Sequence, residues 1–406
     1  MDLPQLLNLN YDVLEHVFLH CLPDEPFVHP ARTAGPLLVS HVCSSWRQQA
    51  ISMPALWASI DIHVTRRGVS PSPEVIAAWL GRSGTRPLRI RLSVPEKPGV
   101  EGWQNSEIAF RAILPFHRRW QKLELRLRLF LPLQVLDEVA PEALTELRAL
   151  HVVVPGTLDD AWKHLRRILD GVSHLEYLGL EADLSEHLPA GPLPFAALRA
   201  LDMHNVALPV VDCLHVLESA QALESLMLRI AVAPAATVLP GVKHSTLLQL
   251  SLYSVALDAD AFLDAATLPN LRNMTIICGH RIPPNKFTSF FRRSRCRLRC
   301  LHLCTPVDDA DTVVQILRNC STTLESFHLG LLCDEALPMD ALLQALIIED
   351  EDQYEDVFCP RLHSLLLGPG SVVESEVANA FLHSRARTAR PGVAKLDAVI
   401  MRVNGN

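Results

Sequence analysis

The chain has 406 residues, 49% of them apolar and 20% charged; this excludes disorder over most of its length and leaves room for one long repeat domain or for two to three domains of ~150 residues. Its 37 basic and 45 acidic residues give a formal charge of -8, the wrong sign for a non-specific nucleic-acid binder held by phosphate contacts. No apolar run approaches the ~20 residues of a membrane span, and Met1-Asp2-Leu3-Pro4 opens without the basic and apolar regions of a signal peptide, so a soluble chain of the cytoplasm, the nucleus or both is expected.

The first predicted elements are helical. Leu14, Val17, Phe18, Cys21 and Leu22 fall at i, i+3, i+4, i+7 and i+8, one apolar helix face. After the Pro-rich interval Pro23 to Pro36, the residues Leu38, Val42, Trp46 and Ala50 recur at about one-turn steps and predict a second helix. Residues 1–60 therefore read as a small all-α module and 61–84 as a helical linker. A module of ~50 residues has little core of its own and gains by docking a partner. The plainer alternative is that its apolar faces form the core of a helical cap on the repeats that come after it.

From residue 85 to 402 the chain is repetitive. The string Leu-x-x-Leu-x-Leu, with other apolar residues as substitutes, starts at Leu147, Leu175, Leu198, Leu223, Leu247, Leu271, Leu298, Leu324 and Leu362. Weaker copies precede it at Pro87 and Trp120, and a terminal coil is expected at Val393 to Leu396. Seven of the eight spacings between the nine strong copies lie between 23 and 28 residues, inside the leucine-rich-repeat range of ~20 to 29. The eighth is 38 and holds the acidic insertion 349–356, which cannot be core. Helical runs between the copies, at Val211 to Ala220, Asp258 to Ala266, Asp311 to Cys320 and Met339 to Ile348, supply return segments. The expected fold is α/β: a leucine-rich-repeat solenoid with a parallel strand ladder and helical return segments, in which stacking buries what one repeat cannot. The Asn or Cys usual after the strand motif is replaced by Asp183, Val206, Ala231 and Val255, so the repeats are degenerate.

Because strand side chains alternate, the residues between the Leu positions point to the open sheet face. One column holds Asp202, Met227, Ser251, His302 and His328, the next His204, Arg229 and Tyr253. These eight are the candidate substrate-binding residues, with Met227, Arg229 and Tyr253 the most anchor-like.

Catalytic and metal signals are weak. The ten cysteines form no CxxC pair and read as reduced, packed thiols. Cys300, His302, Cys304 and His328 share a face, but three ligands alternating along one strand span ~13 Å, too far to meet one ion. There is no nucleophile elbow or phosphate-cradling Gly loop, so neither an enzyme nor a cofactor or metal is expected. Arg292, Arg293, Arg295, Arg297 and Arg299 read as a solvated coil edge, with an acidic protein surface or RNA as the alternative.

The amino-terminal strings also carry a resemblance. Leu9-Asn10-Tyr11-Asp12-Val13-Leu14-Glu15-His16-Val17-Phe18 through Cys21-Leu22-Pro23, then Leu37 to Arg47 with Val42-Cys43-Ser44-Ser45-Trp46, then Met53-Pro54-Ala55-Leu56-Trp57, resemble an F-box in the form common among mushroom-type (basidiomycete) fungi. Ala78 to Leu88 and His117-Arg118-Arg119-Trp120 are similar to the segment that links F-box and repeats in such proteins. The resemblance implies a substrate receptor of an SCF-type cullin-RING ubiquitin ligase, not an enzyme. Leu9, Leu14, Val17, Phe18, Leu22, Leu38, Val42 and Trp46 would dock the Skp adaptor, and through it a cullin, while the repeats capture a protein substrate; neither nucleic acid nor membrane is expected as a partner. A reading of a different class is a repeat scaffold with no ubiquitin-ligase connection.

Overall fold

The computed structural model describes residues 11–33, 35–94, 99–127, 133–153, 159–181, 196–231, 239–254, 259–331, 336–349, 357–368, 370–387 and 393–404. Leu9, Asp183 and nearly all of the acidic insertion lie outside these residues. The chain forms two compact units, Met1–Leu184 with Pro192–Leu198, and Ser185–Gly191 with Arg199–Asn406. The division between them falls inside the repeats.

The first unit opens with helix α1 (Tyr11–His20), which buries Leu14 and Phe18. Where the sequence predicts one further helix there are two, α2 (Gly35–Ser40) and α3 (Ser44–Ile51). Cys43 separates them: its backbone is extended, and its sulfur accepts the Trp46 N–H at 3.4 Å as an N-cap. The Pro-rich interval is not a free loop. The Val28 carbonyl accepts the Asp61 N–H at 2.8 Å, the Pro26 carbonyl accepts the Ser59 hydroxyl at 2.8 Å, and Phe27 and Val28 are buried.

The expected helical linker over 61–84 does contain a helix, α4 (Pro73–Arg82), but strand β1 (Ser59–Thr65) crosses its start and turns into the antiparallel β2 (Gly68–Ser70). Ile60, Ile62 and Val64 alternate inward along β1, a period of two rather than of a helix. Parallel strands β3 (Leu88–Ser93), β4 (Trp120–Arg126), β5 (Ala149–Val153) and β6 (Tyr177–Glu181) extend the sheet in the order β2-β1-β3-β4-β5-β6. Helices α5 (Gly99–Ile113) and α6 (Asp159–Gly171) are return segments of this unit. Trp57 and Trp79 meet edge to face at 4.8 Å, and each indole N–H reaches a carbonyl, of Ala50 and Ser59 respectively.

In the second unit eight parallel strands follow in chain order: β7 (Ala200–Leu208), β8 (Ser225–Ile230), β9 (Gln249–Ser254), β10 (Asn273–Cys278), β11 (Cys300–Cys304), β12 (Ser326–Gly330), β13 (Ser364–Leu367) and β14 (Ala398–Ile400). Their inward residues align in register, so that Leu201, Leu226, Leu250, Met274, Leu301 and Phe327 make one continuous buried column. At about 2 kcal/mol for each buried large apolar side chain, stacking is what stabilises repeats that could not fold singly. Helices α7 (Val210–Ser219), α8 (Ala259–Ala265), α9 (Pro284–Ser294), α10 (Ala310–Arg318), α11 (Asp340–Leu346) and α12 (Ser375–Arg387) return between strands. The predicted helical runs thus hold to within about two residues.

Arginines close several helix ends. Arg293 on α9 donates to the Leu263 and Ala266 carbonyls at the end of α8, and Arg119 donates to the Leu80 carbonyl of α4 at 3.0 Å. The carbonyl end of a helix carries partial negative charge and lacks intrahelical donors, so a guanidinium answers both needs.

Candidate functional site

Two surfaces stand out. The first lies on the amino-terminal helices, where the expected docking residues divide by burial. Leu14 and Phe18 are 1% and 0% exposed, so they form the module's core and face no partner. Apolar periodicity marked them correctly as one face, but it is the inner one. Val17, Leu38 and Val42 are exposed, Val42 at 57%, while Leu22 is half-buried, and Trp46, also half-buried, packs its ring 5.0 Å from that of Phe18. The sequence reading missed Val13, one turn before Val17 and also exposed. Of the thirteen large apolar side chains exposed among the described residues, seven lie between Tyr11 and Ile51. That is far more than scattered single exposures on an ordinary surface.

The second surface is the outward sheet face of the second unit. Asp202, Met227 and Ser251 are register partners in turn, as are His302 and His328, all half-buried between fully buried neighbours. Arg229 pairs with Tyr253 in the next column. His204 departs from its expected place: β7 and β8 pair through Met203 and then Ala207, so 204–206 bulge out of the ladder and Ala207 takes the position opposite Arg229. The bulge nonetheless delivers His204 to this face, with its ring 5.5 Å from that of Tyr253 and its Nδ1 2.6 Å from Asp202 Oδ1. Burial, and then the Asp202 carboxylate, push the Tyr253 hydroxyl above its ordinary pKa. The His302 and His328 rings stack at 3.9 Å and 6°.

The sheet face of the first unit is different. Asp61, Arg91 and Glu124 are register partners on β1, β3 and β4; Arg91 lies 3.5 Å from Asp61 Oδ2 and 3.0 Å from Glu124 Oε1, and Arg126 reaches the same Glu124 oxygen at 2.7 Å. Phe27 of the Pro-rich interval lies beneath the Arg91 guanidinium at 4.4 Å. Arg91 thus bridges the two carboxylates, through Asp61 Oδ2 and Glu124 Oε1. The alternating charged residues of β3 and β4 were the signal for this network, which a search confined to the strong repeats passes over.

Among the described residues no three His, Cys, Asp or Glu side chains are arranged to hold a metal ion, Cys300, His302, Cys304 and His328 included. Cys278 Sγ lies 2.8 Å from His280 Nδ1, and His280 Nε2 lies 3.4 Å from Asp260 Oδ1, a chain the sequence did not suggest. Cys278 is fully buried, and burial raises its pKa, so the thiol stays protonated and out of reach of a substrate. The basic cluster disperses into separate structural roles: Arg293 caps α8, Arg295 is the left-handed C-cap of α9 at φ 51°, and Arg299 lies 3.7 Å from Glu325.

No family model matches the sequence, and no curated protein does so. Among solved structures, a crystal structure of the APL1 leucine-rich repeat domain is similar to this chain at 15% identity and a TM-score of 0.35, over 84% of this chain and 93% of that one. So loose a likeness adds nothing to the ladder's own register. Among the described residues no helix is long and apolar enough to cross a membrane.

Proposed function

We propose that this chain is the substrate-recognition subunit of an SCF-type cullin-RING ubiquitin ligase, resembling the F-box proteins of basidiomycete fungi. Its amino-terminal helices dock a Skp adaptor, and through it a cullin, while the sheet face of the repeats captures a protein substrate. The observation that supports this most is the exposed apolar set on the amino-terminal helices, Val13, Val17, Leu38 and Val42 among them, which leaves apolar surface in water unless a partner covers it. Such a subunit needs no cofactor and does no chemistry of its own; it raises the local concentration of substrate lysines near the conjugating enzyme. Its place of work is the cytoplasm, the nucleus or both.

Size-exclusion chromatography with light scattering, on the full chain co-expressed with a fungal Skp adaptor, tests this. A one-to-one complex is expected, lost in Val17→Asp and Val42→Asp with the melting temperature unchanged. A chain that ignores the adaptor would leave a repeat scaffold unconnected with ubiquitin ligation.

A further inference from the structure

The six strands β9 to β14 contain no Asp, Glu, Lys or Arg at any position, in a chain that is 20% charged. Charge returns just outside the strands, as at Arg299 and Glu325, which lie 3.7 Å apart. An uncharged centre inside a charged rim is the anatomy of a protein-binding surface, where depletion of charge at the core is the compositional signal. Nothing in the folding of the ladder requires it, for β3 and β4 pair in parallel, in register from Arg89 on, while carrying Arg91, Lys122 and Glu124.

The centre is uncharged without being inert. Asn273 and Thr275 on β10 and Ser251 on β9 are half-buried and outward, and among the described residues none of their side chains has a hydrogen-bond partner. Such groups both donate and accept, as the peptide backbone does. Tyr253 on β9 and, further along the ladder, Leu366 on β13 and Ile400 on β14 supply apolar ground, Ile400 at 60% exposure. A charged side chain laid across β10 to β14 would lose water and find no Asp, Glu, Lys or Arg on those strands to pair with, so the surface selects against it.

We infer that this face binds an extended, uncharged segment of a partner protein laid across the strands. Six strands at ~4.8 Å span ~24 Å, which an extended chain rising ~3.3 Å per residue crosses in about seven residues. This rests on the reading that the repeats capture a protein, and it names the class of segment they take.

The test is to pan a phage-displayed peptide library on the full chain and measure synthetic versions of the enriched peptides by fluorescence anisotropy. Enriched sequences should share a run of about seven residues free of Asp, Glu, Lys and Arg. Their Kd should change less than about two-fold between about 50 and 500 mM salt. Thr275→Lys should weaken binding at least about ten-fold; His302→Lys serves in its place if the first variant alters the melting curve. Enrichment of charged peptides with steep salt dependence, binding untouched by both variants, or no enrichment over a bare support would overturn the inference. The adaptor is absent from this measurement. Peptide binding by a chain that ignores Skp would sink only the ligase reading, and the reverse result would sink only this one.

Discussion

The guanidinium of Arg385 is fully buried, and its Nε donates to the carbonyl of Leu346 at 3.0 Å, at the end of helix α11. Its other nitrogens donate to the Cys359 and Phe358 carbonyls at 3.0 and 2.8 Å. Burial lowers its pKa to about 10, so it remains a cation at neutral pH, stabilised by three backbone carbonyls, one of them at a helix end. Replacing Arg385 with Ala strands three buried acceptors and should destabilise the second unit by about 3 kcal/mol. Arg385→Lys, with a point charge in place of a planar fork, should recover only part. Urea melts followed by circular dichroism would decide; a wild-type midpoint in Arg385→Ala would refute the role.

The stacked His302 and His328 predict a pH dependence. Burial, and for His302 also the neighbouring imidazole, hold both below the ordinary value of 6.5. Each therefore binds fewer protons folded than unfolded. The stability they contribute is present above about pH 6.5 and is lost as the pH falls from there towards their folded-state values. The urea midpoint should drop on acidification through this range, and His302→Gln should flatten the drop. Equal slopes in the two proteins would count against the pair as its source.

Gly171 closes helix α6 against Pro141. A Cβ on Gly171 would stand 2.1 Å from that of Pro141 and 3.2 Å from its Cα, and backbone on the proline side cannot swing away as a flexible side chain would. Gly171→Ala should cost about 1–3 kcal/mol by forcing helix and turn apart, whereas Gly81→Ala, with nothing within 4 Å, should be neutral or slightly stabilising. Parallel thermal melts of the two variants would show the contrast.

Within the amino-terminal module, inner and outer apolar residues should separate cleanly. Leu14→Ala and Phe18→Ala remove core and should destabilise by about 2–5 kcal/mol. Leu38→Asp, on an exposed position, should stay within about 0.5 kcal/mol. Hydrogen exchange over residues 11–51 would distinguish them, and equal protection in all three variants would contradict the assigned burial.

The N-cap of α10 offers a smaller effect with a definite sign. Asp309 accepts the Thr312 N–H and hydroxyl, each at 2.8 Å, and these bonds hold its pKa below the ordinary 3.8. Asp309→Ala should cost about 1 kcal/mol near neutral pH, and Asp309→Ser much less. The difference should hold above the ordinary value of 3.8 and shrink as the pH falls from there through the lower folded-state value, where the carboxylate is lost. Denaturation of both variants at two pH values would check it.

The repeats were legible because their signal is local and repeated: each Leu-x-x-Leu-x-Leu places two Leu on one side of a short strand, and nine copies average out the exceptions. The outward columns followed from the same alternation, so Asp202, Met227, Ser251, His302 and His328 land together as expected. The bulge at 204–206 was not legible, since only pairing with β8 reveals three residues without a counterpart. The break at Cys43 hid for another reason: the apolar steps from Leu38 to Ala50 run through it, and the thiol cap that stops one helix and starts the next leaves no periodic trace.

The amino-acid sequence alone determined the period, the buried column of large apolar side chains and the uncharged run of β9 to β14, because each depends only on residue type and spacing along one chain. Tertiary structure alone decided which face of an apolar helix is core and which is free, turning Leu14 and Phe18 inward and leaving Val17, Leu38 and Val42 in water. It also set Phe27 against Arg91 and Arg385 against Leu346. Those pairings join residues tens of positions apart, and their energy comes from excluding water between groups that no local pattern brings together.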